Sequence, residues 1–237
     1  MIFITFCVRI ATLFILGDEK KLIARFFAET KPQKYKKGEI VLRPDNLNPG
    51  VNFVEKGHIK VYSITEEGYE KVHVIFKPAA IFPLLWIFKD ISRDVYYEAL
   101  DEVVIKKETR DSFVNFIKND SRATSELISK LLTTMDVYID RIDELEYTKS
   151  YPRLVSSLLT FAKHFGKKTG KKILIDVPLT HKDIASSLNM TRETASRDLE
   201  RLISRKLIAY KKHLIVINDL VKLKKELLLY PAGEGIL

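Results

Sequence analysis

Thr191-Arg192-Glu193-Thr194-Ala195-Ser196-Arg197 places Arg192, Glu193, Ser196 and Arg197 at i, i+1, i+4 and i+5. On an α-helix that spacing gathers the four side chains on one side of the first turns. Arg pairs bidentately with guanine in the DNA major groove, Glu accepts from cytosine, and Ser serves either role. Asn189-Met190 precedes the run, and Thr191 is the expected N-cap. Upstream, Leu179-Thr180-His181-Lys182-Asp183-Ile184-Ala185-Ser186-Ser187-Leu188 reads as a shorter amphipathic helix opening on its own Thr cap. Two short helices joined by a tight turn, the second beginning with base-reading side chains, are expected to form a helix-turn-helix. The competing reading is a solvated face on which Arg192, Glu193 and Arg197 pair along the helix. The caps and the apolar exit Leu202-Ile203-Ser204-Arg205-Lys206-Leu207-Ile208 argue against it.

Charge points to the same part of the chain. The 237 residues carry a formal net charge of +9. Residues 148–237 hold 18 Lys and Arg against 8 Asp and Glu, a net of +10, whereas residues 1–147 hold 22 against 23. The basic excess therefore lies with the helix-turn-helix, as an electrostatic footprint for a phosphate backbone requires. A Lys-rich surface that serves only solubility is the alternative.

The segment Leu179 to Ile208 resembles the DNA-binding module of the Crp/Fnr transcription regulators, whose recognition helix opens on a Ser/Thr-Arg-Glu-Thr-x-x-Arg pattern. The resemblance extends over about residues 35–230. It implies that Arg197 and Glu193 read a G·C pair in each half-site and that Arg192 reads a second guanine. Ser196 matches the Fnr-type pattern, so the half-site is TGTGA-like or TTGAT-like, with TGTGA preferred. Thr180, Thr191 and Thr194 are expected to meet the DNA backbone. Leu207 to Ile217 reads as a β-hairpin, the wing of a winged helix, with Lys211 and Lys212 at its tip as further phosphate contacts. Asn218-Asp219-Leu220 then opens a last helix to Leu229.

From Tyr35 to about Lys107 the pattern has period two and is broken by Asn48-Pro49-Gly50, Lys56-Gly57 and Glu66-Glu67-Gly68. Short strands at that spacing predict an antiparallel β-roll or barrel. Lys37-Gly38-Glu39, the strand pair around Lys56-Gly57, and Glu67-Gly68 resemble the cyclic-nucleotide-binding roll of the same family. The resemblance fails where ligand chemistry would sit. Cyclic-nucleotide binders carry a cassette of roughly Phe-Gly-Glu followed by Arg-Ser/Thr-Ala, which presents backbone N–H groups, a ribose acceptor and a phosphate-neutralising Arg. Here the corresponding stretches are Phe82-Pro83-Leu84 and Ser92-Arg93-Asp94-Val95. Pro83 removes an N–H, Leu84 cannot accept, and Asp94 opposes an anion at Arg93. Cyclic AMP is therefore not the expected effector. Phe82, Trp86, Arg93, Tyr96 and Tyr97 are the candidate effector pocket, with plain core packing of the aromatics as the alternative.

Asp111 to Leu145 is expected to be one long helix. Ile128, Leu131, Met135, Tyr138, Ile142 and Leu145 repeat at 3-4-3-4-3, a heptad seam suited to a two-stranded interface. Asp136, Asp140, Arg141 and Glu144 fill the polar positions. The alternative is a helix packed on its own roll. The resemblance places the dimer interface on this helix and implies recruitment or blocking of RNA polymerase.

Cys7 is the only cysteine, so a four-thiolate iron–sulfur cluster is excluded within one chain, and a reducing cytoplasm is expected. The five histidines show no metal-ligand spacing, and no cofactor is identified. No nucleophile–base pair or phosphate loop appears, so an enzyme is not expected. Ile2 to Leu16 is nearly all apolar, but it is short for a membrane span and lacks a basic leader or cleavage site. A packed N-terminal strand or helix, or a start codon assigned upstream of the true one, is expected there, with no membrane partner and a membrane-tethered regulator as the minor variant. The expected fold is thus α+β in three parts: residues 1–110 with the β-roll, 111–146 as central dimerisation helix, and 147–237 as winged helix-turn-helix. The expected partners are double-stranded DNA and a second copy of the chain. A signalling module whose winged helix contacts protein instead of DNA is the other reading.

Overall fold

The computed structural model describes residues 22–46 and 48–230. The apolar run Ile2 to Leu16 lies outside them. Helix α1 (Leu22–Phe26) falls inside the amphipathic stretch read from the sequence as Asp18 to Thr30.

Eight short strands follow: β1 (Pro32–Tyr35), β2 (Ile40–Leu42), β3 (Val51–Lys56), β4 (Ile59–Ile64), β5 (Glu70–Phe76), β6 (Ile81–Phe82), β7 (Tyr96–Ala99) and β8 (Val103–Glu108). Helix α2 (Leu84–Lys89) lies between β6 and β7. The strands form two antiparallel four-stranded sheets, ordered β1-β8-β3-β6 and β2-β7-β4-β5. Val54, Val61, Phe82, Tyr97 and Ile105 fill the space between them. In the first sheet, β6 and most of β3 are buried on both faces. Alternate residues Val51, Phe53 and Ile81 turn outward against Ile23, Phe27, Phe113 and Ile117, so β3 shows a continuous buried run where a half-exposed strand would alternate. At Gly57 (φ +85°) an added Cβ would collide with the Glu102 carbonyl, so the β3–β4 turn requires glycine.

The stretch read as one helix from Asp111 is two: α3 (Arg110–Asn119) and α4 (Ser121–Leu145). Asp120 ends the first and caps the second. Its backbone is extended (φ −128°, ψ 107°), and its carboxylate accepts from the Arg122 N–H. Asn119-Asp120-Ser121 offers cap-forming side chains that compete with helical hydrogen bonds. The first two turns of α4 are held by buried Ala123, Glu126 and Leu127. Beyond them the apolar positions Ile128, Leu131, Leu132, Met135, Tyr138, Ile139, Ile142 and Leu145 keep 37–62% of their surface exposed. The polar side of α4 differs from the sequence reading. Glu144 is only 1% exposed, and burial raises its pKa even though Arg141 lies 2.8 Å away. Asp140 bonds Lys163 and His164. The reason is α5 (Ser150–Phe165), which packs on that face.

After α5 come β9 (Gly166–Thr169) and β10 (Lys172–Ile175), then helices α6 (His181–Leu188) and α7 (Arg192–Ser204). Strands β11 (Ile208–Lys211) and β12 (Leu214–Ile217) and helix α8 (Leu220–Leu227) are the last elements of the described residues. The sheet order is β11-β12-β10-β9. Leu154, Leu158, Ile184, Leu188, Leu199, Leu202 and Ile217 form the core of this unit, and Leu100 from the β-roll completes it. Among the described residues no helix is long and apolar enough to cross a membrane.

Candidate nucleic-acid interface

Helix α6 starts where its sequence says it should. Thr180 accepts from the Asp183 N–H, and the Asp183 carboxylate accepts from the Thr180 N–H, a reciprocal capping box. Asn189 ends the helix in the left-handed region (φ 51°) and returns its N–H to the Ala185 carbonyl; Asn tolerates that region better than most residues. Two residues later Thr191, extended at φ −72°, caps α7 by accepting from the Thr194 N–H at 3.2 Å. Ala195, Leu199 and Leu202 are fully buried and fix the inner face of α7 in the core.

That inner face determines what remains outside. Arg192, Glu193 and Arg197 are exposed on the first turns. The Arg197 side chain is 72% exposed, with its Nε 3.9 Å from Asp198. Ser196 is half-buried and tied inward, its Oγ 2.8 Å from His181 Nδ1. His181 Nε2 lies 3.1 Å from the Tyr210 hydroxyl on β11. The structure thus brings the four predicted base-readers to one helix start but holds Ser196 more rigidly than the others. His181 was not singled out in the sequence, yet it joins α6, α7 and the wing. Its position directly after the cap residue was the available signal.

Of the predicted backbone-contacting residues, Thr180, Thr191 and Thr194 spend their hydroxyls on caps: Thr191 Oγ1 lies 3.0 Å from Thr194 Oγ1, and Thr180 Oγ1 lies 2.6 Å from Asp183. Lys211 ends β11, and Lys212 with His213 forms the two-residue turn of the wing. Both turn residues have positive φ, 50° and 66°. Such hairpin turns favour Asn-Gly, and each non-glycine residue there costs about 1 kcal/mol. A lysine kept at that expense places a cation at the tip. Lys212→Asn is expected to ease the backbone while removing the charge. Affinity should fall by the same factor on every duplex, with the log–log salt slope reduced by about 1, and thermal stability should not fall. A sequence-selective loss would contradict a phosphate role.

The five candidate effector residues are not brought together. Phe82 and Tyr97 stack between the two sheets, ring centroids 4.7 Å apart. Trp86 packs on the other side of the first sheet, against the cluster of Phe113 and Ile117, with the Arg110 guanidinium 5.1 Å from its ring. Tyr96 stacks on Tyr62 at 5.4 Å. Arg93 is exposed beside exposed Asp94. Arg93 does bear on the roll–α4 boundary: burial first, then the Lys71, Arg93 and Arg141 cations, lower the pKa of His73. Asp136, Asp140 and His164 converge within 4.8 Å, but the Lys163 ammonium already sits 2.9 Å from both carboxylates.

The Crp-like helix-turn-helix domain matches residues 152–226, and the cyclic nucleotide-binding domain matches residues 32–120. A CRP-like cAMP-activated global transcriptional regulator of Mycobacterium tuberculosis is 22% identical over 88% of this chain and 93% of its own. A global nitrogen regulator of Synechococcus elongatus is 26% identical over 78% and 85%. Among solved structures, a CooA mutant from Carboxydothermus hydrogenoformans shares the fold with a TM-score of 0.71 at 20% identity, covering 90% of this chain and 96% of that one.

Proposed function

Since the chain belongs to the Crp/Fnr family of transcription regulators, we propose that it binds a palindromic promoter site as a homodimer. The family is one of regulators and not of enzymes. The observation that carries the reading is the start of α7. Three exposed charged side chains of base-reading type, Arg192, Glu193 and Arg197, stand on a helix whose other face is locked in the core. Arg197 and Glu193 read a G·C pair, Arg192 reads a second guanine, and Ser196, held by His181, sets the contact beside them. Lys211 and Lys212 meet phosphate. Ile128, Leu131, Met135, Tyr138, Ile142 and Leu145 supply the interface with the second copy. Pairing of α4 sets two recognition helices one turn of duplex apart, and the bound dimer recruits or blocks RNA polymerase.

The effector, in this reading, is not a cyclic nucleotide. Pro83, the residue before α2, offers no N–H to a phosphate, and Leu84 offers no acceptor to a ribose. The Mycobacterium tuberculosis relative is named for activation by cAMP, but the cassette positions here do not carry that chemistry.

The test is selection of bound sites from random duplex DNA by the purified chain without added ligand. An inverted repeat with TGA-containing half-sites supports a dimeric, sequence-specific regulator. Failure to bind any duplex, at low salt as well as high, overturns it.

A further inference from the structure

Lys60, on β4, is 3% exposed. Its ammonium lies 2.9 Å from Glu70 Oε2, 3.4 Å from Glu98 Oε1 and 3.3 Å from Asp183 Oδ1. Glu70 and Glu98 belong to the β-roll, whereas Asp183 is the capping-box residue of α6. The second Glu70 oxygen, Oε1, accepts from Lys182 Nζ at 2.6 Å. Five charged groups therefore join β4, β5 and β7 to the first turn of α6, across 123 residues of sequence. Burial would lower the Lys60 pKa, but the Glu70 hydrogen bond and the three carboxylates outweigh it and raise it. The ammonium stays charged, and the cluster holds as an ion network.

The place where this network touches α6 has a consequence. In a helix-turn-helix the first helix crosses the DNA backbone, and a helix N-terminus with a cation beside it suits a phosphate. Here the cation beside that N-terminus, Lys182, already holds the Glu70 carboxylate. We propose that Glu70 stands where a DNA phosphate would stand, so that the docked β-roll holds the DNA-binding unit in a low-affinity state. This rests on the DNA-binding reading of α6 and α7. A phosphate approaching Lys182 meets the Glu70 carboxylate already on that ammonium, and the two anions compete for it. DNA binding is therefore favoured when α6 leaves β5. On leaving, Lys60 keeps Glu70 and Glu98, so the roll is not left with an unpaired buried cation. Both positions are satisfied, as a two-state element requires. An effector that bound the undocked roll would raise DNA affinity without touching the DNA-binding unit.

The test uses the full chain in four forms, with affinity measured on a selected duplex and a random duplex. Glu70→Gln removes the carboxylate. Glu70→Asp keeps the charge but shortens the reach, so that one carboxylate can no longer bridge Lys60 and Lys182. Glu67→Gln removes a charge from the same hairpin, in the turn before β5. Hydrogen exchange of the first turn of α6 reports docking without DNA. Both Glu70 variants are expected to bind each duplex about five- to tenfold more tightly and to exchange faster at α6, while Glu67→Gln leaves both readouts unchanged. Equal tightening by Glu67→Gln would reduce the effect to net charge and overturn the proposal. So would unchanged affinity in both Glu70 variants with wild-type binding intact. If no form binds any duplex, the DNA reading fails and this consequence of docking fails with it, whereas exchange at α6 still shows whether Glu70 holds the two units together.

Discussion

Ile142→Glu is expected to break the proposed homodimer into monomers at micromolar concentration, with affinity for the selected duplex falling at least about a hundredfold. Ile142 is 62% exposed, on the same side of α4 as Leu131, Met135, Tyr138 and Leu145. Eight large apolar side chains along one helix form a patch that monomers seldom leave open. Their spacing is that of an a/d seam, broadened by Leu132 and Ile139. A carboxylate at the seam must either lose water without a partner or keep the helices apart, and the second costs less. DNA affinity follows because two linked recognition helices bind with high effective concentration, and a monomer loses that multiplication. Ile142 has most of its surface in solvent, so the substitution should leave the fold intact. Sedimentation gives the oligomeric state, and circular dichroism checks the fold. A variant that remains dimeric would place the interface elsewhere.

Arg197→Ala is expected to cost about 1–3 kcal/mol on the selected site, a factor of roughly ten to a hundred, with little change on random DNA. Arg197 is nearly free of intramolecular commitment, its only described ion-pair contact being Asp198 at 3.9 Å. Folding therefore does not depend on it, and its guanidinium is available for a base edge. Selection with the variant should relax one position in each half-site. An equal loss on random duplex would make Arg197 a phosphate contact instead.

How legible the molecule was in its sequence depended on how local the interactions are. The helix-turn-helix is nearly all local: Thr180, Asn189 and Thr191 each act on residues three or four away, so its ends could be read directly. The division at Asp120 had a local signal in Asn119-Asp120-Ser121. It was masked because apolar positions recur at helical spacing on both sides, Phe113 and Ile117 before it and Ala123 and Leu127 after. The aromatic residues Phe82, Trp86, Tyr96 and Tyr97 are close in sequence, yet one sheet separates Trp86 from Phe82 and Tyr97. Proximity along a chain does not say which side of a sheet a side chain takes when both sides are buried. Glu144 looked like a solvated heptad position because nothing near it announces that α5 folds back onto α4. The Lys60–Asp183 contact had no sequence signal. Asp183 reads only as the partner of the Thr180 cap and Lys60 only as a strand residue, and their pairing exists only once two units have docked.

The break at Asp120 also has a mechanical meaning. Helix α3 and the first two turns of α4 are bedded in the roll, and beyond Leu127 the helix touches it along one side only, through Lys130 on the Ala79 carbonyl and Val137 on the core between the sheets, over about 27 Å to Leu145. A helix of that length multiplies small rotations at its seat. A tilt of about 7° at its seat carries the far end by about 3 Å, close to the 3.4 Å rise between successive base pairs. Once the ion pairs between the roll and α6 are released, such a tilt would shift the start of α5 and the DNA-binding unit by a whole step along a duplex.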